Sequence, residues 1–446
     1  MTFGLQVLRV LMTTLSLRGS APLPHADLRA SDPARNSHLT TPPKRITLWF
    51  TARPEVPLSH VRLVGPGGNV ALGKLAADTG NALRADIAGP VPDGTYKVVW
   101  QAASADGHPV SGEFSFMVAT DPAMPMHTEP LPSSPSLVTE PPPPLGARFL
   151  RLWEFIGLLL VLGVIVFLHG VLPPLAARGV HTADASQQAR GVGEVGAVIY
   201  VLAAAFRLVR EVSAVLVPDG SPAATLSAIL GNSSWGHGWL LGVIGALLVI
   251  VGLWLSMRRV AAGTPTALTG AFAMVLSPGL TGHAAAAKWF IASVTLDALH
   301  VASIGSWLGT LAIVVLIGIP AMARVKDGNA DAAVSALVNS FHPIALLSAP
   351  MAVFAGLGSA ALRLGSLGAL TSSRYGEVLT IKVVGVALLA SVGAWNSMRS
   401  RRRLGTPQAT LSIRRTAVIE VVLAALVLWA TTDLIATPVP TELLRP

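Results

Sequence analysis

The sequence predicts a two-part molecule, an all-β Greek-key sandwich followed by an all-α polytopic membrane bundle of about eight helices. Three observations predict it. Only 12% of the 446 residues are charged, 52% are hydrophobic and the mean hydropathy is +0.61, whereas soluble chains carry about 25% charged residues. The composition changes sharply near residue 148, from short β-branched segments to long apolar runs. The charge changes with it. Residues 25–146 hold nine Lys/Arg against eleven Asp/Glu, a net of −2, and residues 148–446 hold twenty-one against twelve, a net of +9. The basic surplus therefore lies in the hydrophobic half, which argues against a nucleic-acid partner, because that would need a basic stripe on a folded polar surface.

Residues 1–24 read as a signal sequence or anchor: Arg9 precedes an apolar stretch from Val10 to Leu17, and Arg18, Gly19, Ser20 and Ala21 follow. Residues 25–118 form the β domain. Segments such as Arg45–Phe50, His60–Val64, Tyr96–Ala102 and Glu113–Val118 alternate with turn signals at Pro42-Pro43, Gly65-Pro66-Gly67-Gly68, Asp93-Gly94 and Asp106-Gly107. Seven short strands are expected, with Trp49, Phe50, Trp100 and Phe114 in the core and His38 and His60 solvated. Residues 119–147 contain nine prolines and make a stiff, extended linker. Residues 148–438 are the membrane domain and 439–446 a tail.

Eight apolar stretches approach spanning length, at 149–172, 193–217, 238–257, 266–285, 289–318, 341–362, 377–398 and 415–436. The fourth is the weakest, since Pro278 and Gly279 interrupt it. With the β domain outside, the inner loops hold twelve Lys/Arg, including Arg258, Arg259 and Arg401 to Arg403, and the outer flanks hold six: Arg148, Arg151, Lys288, Arg363, Arg374 and Arg445. Positive residues favour the inner side, so the β domain and both mature termini are expected outside.

The chain has no cysteine, which excludes disulfides, thiolate metal sites and cysteine nucleophiles. A metal would have to be held by His, Met, Asp, Glu or backbone groups. Asp106 and His108 flank a glycine in a turn, a spacing that can direct a carboxylate and an imidazole to one point. Cleavage before His25 would add an amine–imidazole chelate, and two imidazoles, an amine and a carboxylate suit tetragonal Cu(II). From spacing alone the ordinary reading, an Asp-Gly turn bearing a surface histidine, stands ahead. In the linker, Met124, Met126 and His127 offer thioethers and an imidazole, a set that suits Cu(I). A short methionine pair in a linker is more often incidental.

Ionisable groups inside spans are expensive, so each is a candidate. Asp297, His300, Ile304 and Trp307 share one helical face, where Asp297 can hold the tautomer of His300. His283, near the outer end of the fourth stretch, can converge with His300, and Met274 and Met351 can extend a Cu(I) route or simply pack. Arg207 and Glu211, one turn apart, read as an ion pair within one helix, and Lys382 has no evident partner.

The opening His25-Ala26 with Leu28, and the run Tyr96-Lys97-Val98-Val99-Trp100 leading to Ser104-Ala105-Asp106-Gly107-His108-Pro109-Val110-Ser111-Gly112, resemble the periplasmic copper-binding CopC family. The resemblance implies a small Ig-like barrel in which His25, Asp106 and His108 bind Cu(II). Pro24 stands where the family has a small residue before the mature histidine. Without cleavage His25 offers only its imidazole. The second half resembles the CopD family over residues 149–438. The resemblance rests on Asp297, His300, Val301, Trp307 and Gly309, on Tyr375, Gly376, Leu379, Lys382 and Asn396, and on Arg414, Arg415, Glu420, Thr432, Thr437 and Pro438.

Fused CopC–CopD proteins imply copper handling at the cytoplasmic membrane of a bacterium, with the β domain on the periplasmic side. The expected function is capture of Cu(II) outside and passage of copper, as Cu(II) or Cu(I), into or across the membrane. Copper ions, the lipid bilayer and a copper chaperone are the expected partners. The alternative is a membrane-anchored copper buffer without transport. No P-loop is present, and an enzymatic role is not expected.

Overall fold

The computed structural model describes residues 28–51, 53–103, 109–119, 145–216, 220–287, 289–324, 330–364, 366, 368–400, 407–435 and 437. The chain divides into two compact units. The first holds the β domain with Ala214–Trp235 and Gly282–Ser293, and the second holds the remaining helical residues.

The β domain has nine strands: β1 (Leu28–Asp32), β2 (His38–Leu39), β3 (Arg45–Phe50), β4 (His60–Gly65), β5 (Gly68–Val70), β6 (Ala76–Asp78), β7 (Ala82–Asp86), β8 (Gly94–Ala103) and β9 (Pro109–Val118). They form a four-stranded sheet ordered β1-β3-β7-β6 and a five-stranded sheet ordered β2-β9-β8-β4-β5. The sequence reading expected seven strands. β2, β5 and β6 are edge strands of two or three residues, too short for alternation to register. Strand period sets the core. On β8, Tyr96, Val98, Trp100 and Ala102 point inward, and on β3, Ile46, Leu48 and Phe50 do. Trp49, between Leu48 and Phe50, faces the other way and is half-buried rather than core. Phe50 packs edge-on against Trp100 with ring centroids 5.4 Å apart, and the cross-strand pair Tyr96–Phe116 stacks at the same distance.

The helical part comprises α1 (Leu145–Ala176), α2 (Ala183–Val215), α3 (Pro222–Asn232), α4 (Ser234–Met257), α5 (Gly263–Leu280), α6 (Phe290–Met322), α7 (Ala330–Leu364), α8 (Arg374–Ser400) and α9 (Pro407–Ile435). Seven of these are long and apolar enough to cross a membrane: α1, α2, α4, α6, α7, α8 and α9. The fourth predicted span is α5, whose 18 residues include Pro278. At 1.5 Å per residue it is about 27 Å long, close to the roughly 30 Å of a bilayer core. The segment before α4 and the segment after α5 both belong to the unit that holds the β domain.

One buried cluster joins α1, α2, α4 and α5 through Leu158, Val161, Tyr200, Val249 and Met274, and a second joins α1, α2, α6 and α7 through Phe167, Ala189, Ile313 and Leu337. Outward faces carry exposed Phe206, Leu347 and Phe354, as helices facing lipid do. The axes of α1 and α6 come close together at two glycines. A β-carbon on Gly163 would overlap the Gly309 carbonyl group, so no larger residue fits there.

Candidate functional site

His25, Asp106 and His108 lie outside the described residues, as do Met124, Met126 and His127. Their flanks are well defined. β8 pairs with β9 down to Ala103 opposite Pro109, so residues 104–108 are the connection of that hairpin. β4 runs antiparallel to β8 with His60 opposite Gln101, which puts the start of β4 at the hairpin end. β3 leads into β4 and ends at that same end, and β1 is antiparallel to β3 with Leu28 opposite Phe50. The start of β1 and the paired ends of β8 and β9 at Ala103 and Pro109 therefore share one end of the sandwich.

The segment between β3 and β4 braces that end. The Glu55 backbone N–H donates to the Ala103 carbonyl at 2.7 Å, and the Ala103 N–H donates to Ser59 Oγ at 3.4 Å. His60 was expected to be solvated. It is half-buried, and burial pushes its imidazole pKa below the ordinary value, an effect opposed by its hydrogen bond to the Val215 backbone. His38 is exposed, as expected.

In the membrane part, three helices gather polar groups. Ala352, Gly356, Ser359 and Arg363 recur at three- and four-residue intervals and so share one face of α7. That face meets Asp297 and His300 of α6. Ser359 Oγ donates to Asp297 Oδ1 at 2.9 Å, and the Arg363 guanidinium pairs with Asp297 Oδ2. His300 Nδ1 lies 2.7 Å from the Ala352 carbonyl oxygen. A carbonyl has no proton to give, so Nδ1 carries the hydrogen and Nε2 keeps its lone pair, the arrangement of a ligating histidine. Gly356 makes room for the ring, since a β-carbon there would sit 2.9 Å from His300 Cε1.

The expectation that Asp297 orients His300 is therefore corrected. The two residues share a helical face, but the Asp297 oxygens are taken by α7 and the imidazole is held by a backbone carbonyl. Lys382 of α8 gains neighbours that the sequence did not show, because it lies within electrostatic reach of Asp297, Arg363 and His300.

A second polar cluster adds a partner that helical spacing did not show. Arg207 is joined to Glu154 of α1, with Nη1 at 2.9 and 2.7 Å from the two carboxylate oxygens. Arg151 adds a contact at 3.4 Å. The partner sought within α2 thus has a counterpart on a different helix. Arg148 and Asp433 pair at 2.9 Å between α1 and α9.

Met274 is fully buried among apolar side chains, and Met351 is 37% exposed on α7. The side chain of His283 lies outside the described residues. Among the described residues, no three His, Asp or Glu side chains gather as a metal site.

A β sandwich with a braced loop end, joined to a polytopic bundle with buried ionisable groups, defines a multi-pass membrane protein carrying an extramembrane domain. Residues 28–119 match the CopC domain, and residues 335–434 match the family described as Copper resistance protein D. The chain thus joins a CopC domain and a CopD domain in one polypeptide. It is 24% identical over 435 residues to the Copper transport protein CutJ of Bacillus subtilis, covering 94% of this chain and 75% of that protein. It is 32% identical over 117 residues to Copper resistance protein C of Xanthomonas campestris pv. juglandis, covering 24% of this chain and 91% of that one. A crystal structure of PcoC, a methionine-rich copper resistance protein from Escherichia coli, is 31% identical, with a TM-score of 0.20, covering 21% of this chain and 99% of that one. The CopD match begins within α7. It takes in Ser359, Arg363, Tyr375 and Lys382 and leaves out Asp297 and His300.

Proposed function

We propose that the protein captures copper outside the cytoplasmic membrane and passes it inward. His25, Asp106 and His108 take Cu(II) at the loop end of the β domain. One observation supports this most directly: the strand registers bring the start of β1 and the paired ends of β8 and β9 to the same end of the sandwich, although they are far apart in sequence. Residues next to those strand ends can then converge on one ion. The net charge of −2 over residues 25–146 favours cation capture. His300, with its Nε2 lone pair available, is the favoured group for onward passage, and His283, Met274 and Met351 extend the route. Met124, Met126 and His127 offer a Cu(I) stop in the linker. A copper chaperone is the proposed partner.

Sequencing the mature N-terminus and following Cu(II) by electron paramagnetic resonance test the outer site. The expected result is cleavage before His25 and mixed nitrogen and oxygen ligation. His108→Ala should weaken binding by more than the roughly 10–100-fold that loss of an outer-shell partner costs. Uncleaved protein, or ligation unaltered in His108→Ala, would remove the chelate from the proposal.

A second reading is favoured by the membrane cluster itself. Asp297 is held by Arg363, with Lys382 nearby, so the cluster carries more positive than negative charge and repels a passing cation. The protein would then be a membrane-anchored copper buffer. Copper accumulation in cells expressing His300→Ala separates the two readings. Lost uptake with intact outer binding supports passage, and unchanged uptake supports the buffer.

A further inference from the structure

We propose that the loop end of the β domain is docked in one orientation on the Ala214–Trp235 segment, with Glu55 as the latch, rather than swinging freely on its proline-rich linker. Three polar ties join the two. Glu55 Oε1 accepts the backbone N–H of Ser234 at 3.0 Å. Gln101 Nε2 donates to the Ala214 carbonyl at 3.3 Å. His60 is hydrogen-bonded to the backbone of Val215. An apolar contact accompanies them: the turn Val56–Leu58 packs on α3, with Leu58 and Ile229 both buried.

Glu55 differs from the other two ties because it acts in two directions. Its side chain meets the first residue of α4, where an anionic acceptor is favoured by the unsatisfied N–H groups and the helix dipole. Its backbone N–H meets Ala103, the residue that enters the 104–108 connection. A single residue thus links the stem of that loop to the start of a membrane helix. All three ties lie at the end of the sandwich that carries the start of β1 and the paired ends of β8 and β9. A linker alone supplies reach and effective concentration, whereas docking at this end also sets direction. The docking geometry stands without any metal, and only its use in delivery rests on the proposed function.

The absence of native cysteine makes the test clean. Arg62→Cys on β4 and Ser227→Cys on α3, both exposed, receive spin labels in the full-length protein in lipid nanodiscs. The distance distribution is then read by pulsed double resonance. A single narrow distance is expected. Glu55→Ala should broaden it, lowering the ratio of docked to undocked protein about tenfold, as loss of a hydrogen bond to a charged group does. Glu55→Gln, which keeps the acceptor and loses the charge, should fall between. Glu113→Ala, on the exposed Lys97 pair, should leave the distance narrow. A broad distribution in the parent would overturn the docking. A distribution in Glu55→Ala as narrow as the parent's would overturn the latch. Neither readout involves copper, so failure here and failure of the copper reading are distinguishable.

Discussion

His60 shows how position in the fold changes the chemistry of a residue. On an exposed strand it would titrate near the ordinary value of about 6.5. Half-buried and hydrogen-bonded to the Val215 backbone, it has its pKa lowered, because burial disfavours the charged ring. The sign follows directly. The folded pKa is lowered, so its contribution to stability is fully present above about pH 6.5 and is lost as pH falls through the lower folded value. Thermal unfolding of the β domain in the full chain should show stability falling as pH drops below about 6.5. His60→Gln should flatten that slope, and an unchanged slope would assign it to other groups.

Arg207 and Glu154 make the same point inside the bundle, where each is only 5% exposed. Removing one member of a buried pair costs on the order of 3–5 kcal/mol, because a charge is stranded. Glu154→Leu should cost more than Arg207→Met, since Arg151 still faces Glu154 in the second variant. The double variant should recover part of the loss. Denaturation in detergent checks the ranking, and equal losses in both single variants would show that Arg151 does not share the carboxylate.

At the scale of elements, the close contact of α1 with α6 depends on Gly163 and Gly309. With no hydrophobic drive between helices in lipid, packing and close approach hold them together. Gly163→Val should destabilise the bundle by at least about 1–3 kcal/mol, the usual cost of overpacking. Gly146→Val, where a β-carbon meets nothing within 4 Å, should be close to neutral. Thermal unfolding of the two variants side by side measures the difference. α6 also contains two π turns, Gly305–Gly309 and Val314–Gly318. The first presents the buried Trp307 beside this contact, and such turns are frequent at functional sites.

At the scale of the whole molecule, the placement of Ala214–Trp235 and Gly282–Ser293 with the β domain sets the expected topology. A membrane-impermeant maleimide should label Ala223→Cys and Trp289→Cys in intact cells and spare Arg259→Cys. Trp289 is the decisive position, because it lies beyond α5, the least hydrophobic of the predicted spans. Protection of Trp289→Cys together with Arg259→Cys would mean that α5 does not cross.

Much of this was legible from the sequence for simple reasons. Strand and helix periods are local, so the β segments with core residues Phe50, Trp100 and Phe114 and the apolar spans could be read from the sequence. Trp49 and His60 were misjudged because an aromatic residue on an outward face, or a histidine beneath a distant loop, leaves no local signal. The partners of Arg207 and Asp297 were missed for a similar reason. Helical spacing shows which residues share a face, but not which face another helix covers.

By itself, the sequence determined the two-part architecture, the basic surplus beside the membrane and a metal chemistry limited to imidazole, carboxylate, amine and thioether by the lack of cysteine. The tertiary structure decided which charges neutralise one another, that His300 answers to Ala352 rather than Asp297, and that Glu55 reaches Ser234 across 179 positions. The physical reason is one of range. Hydropathy and periodicity act within a few residues along the chain, whereas ion pairing and capping are settled by which elements approach closely enough to exclude water between them.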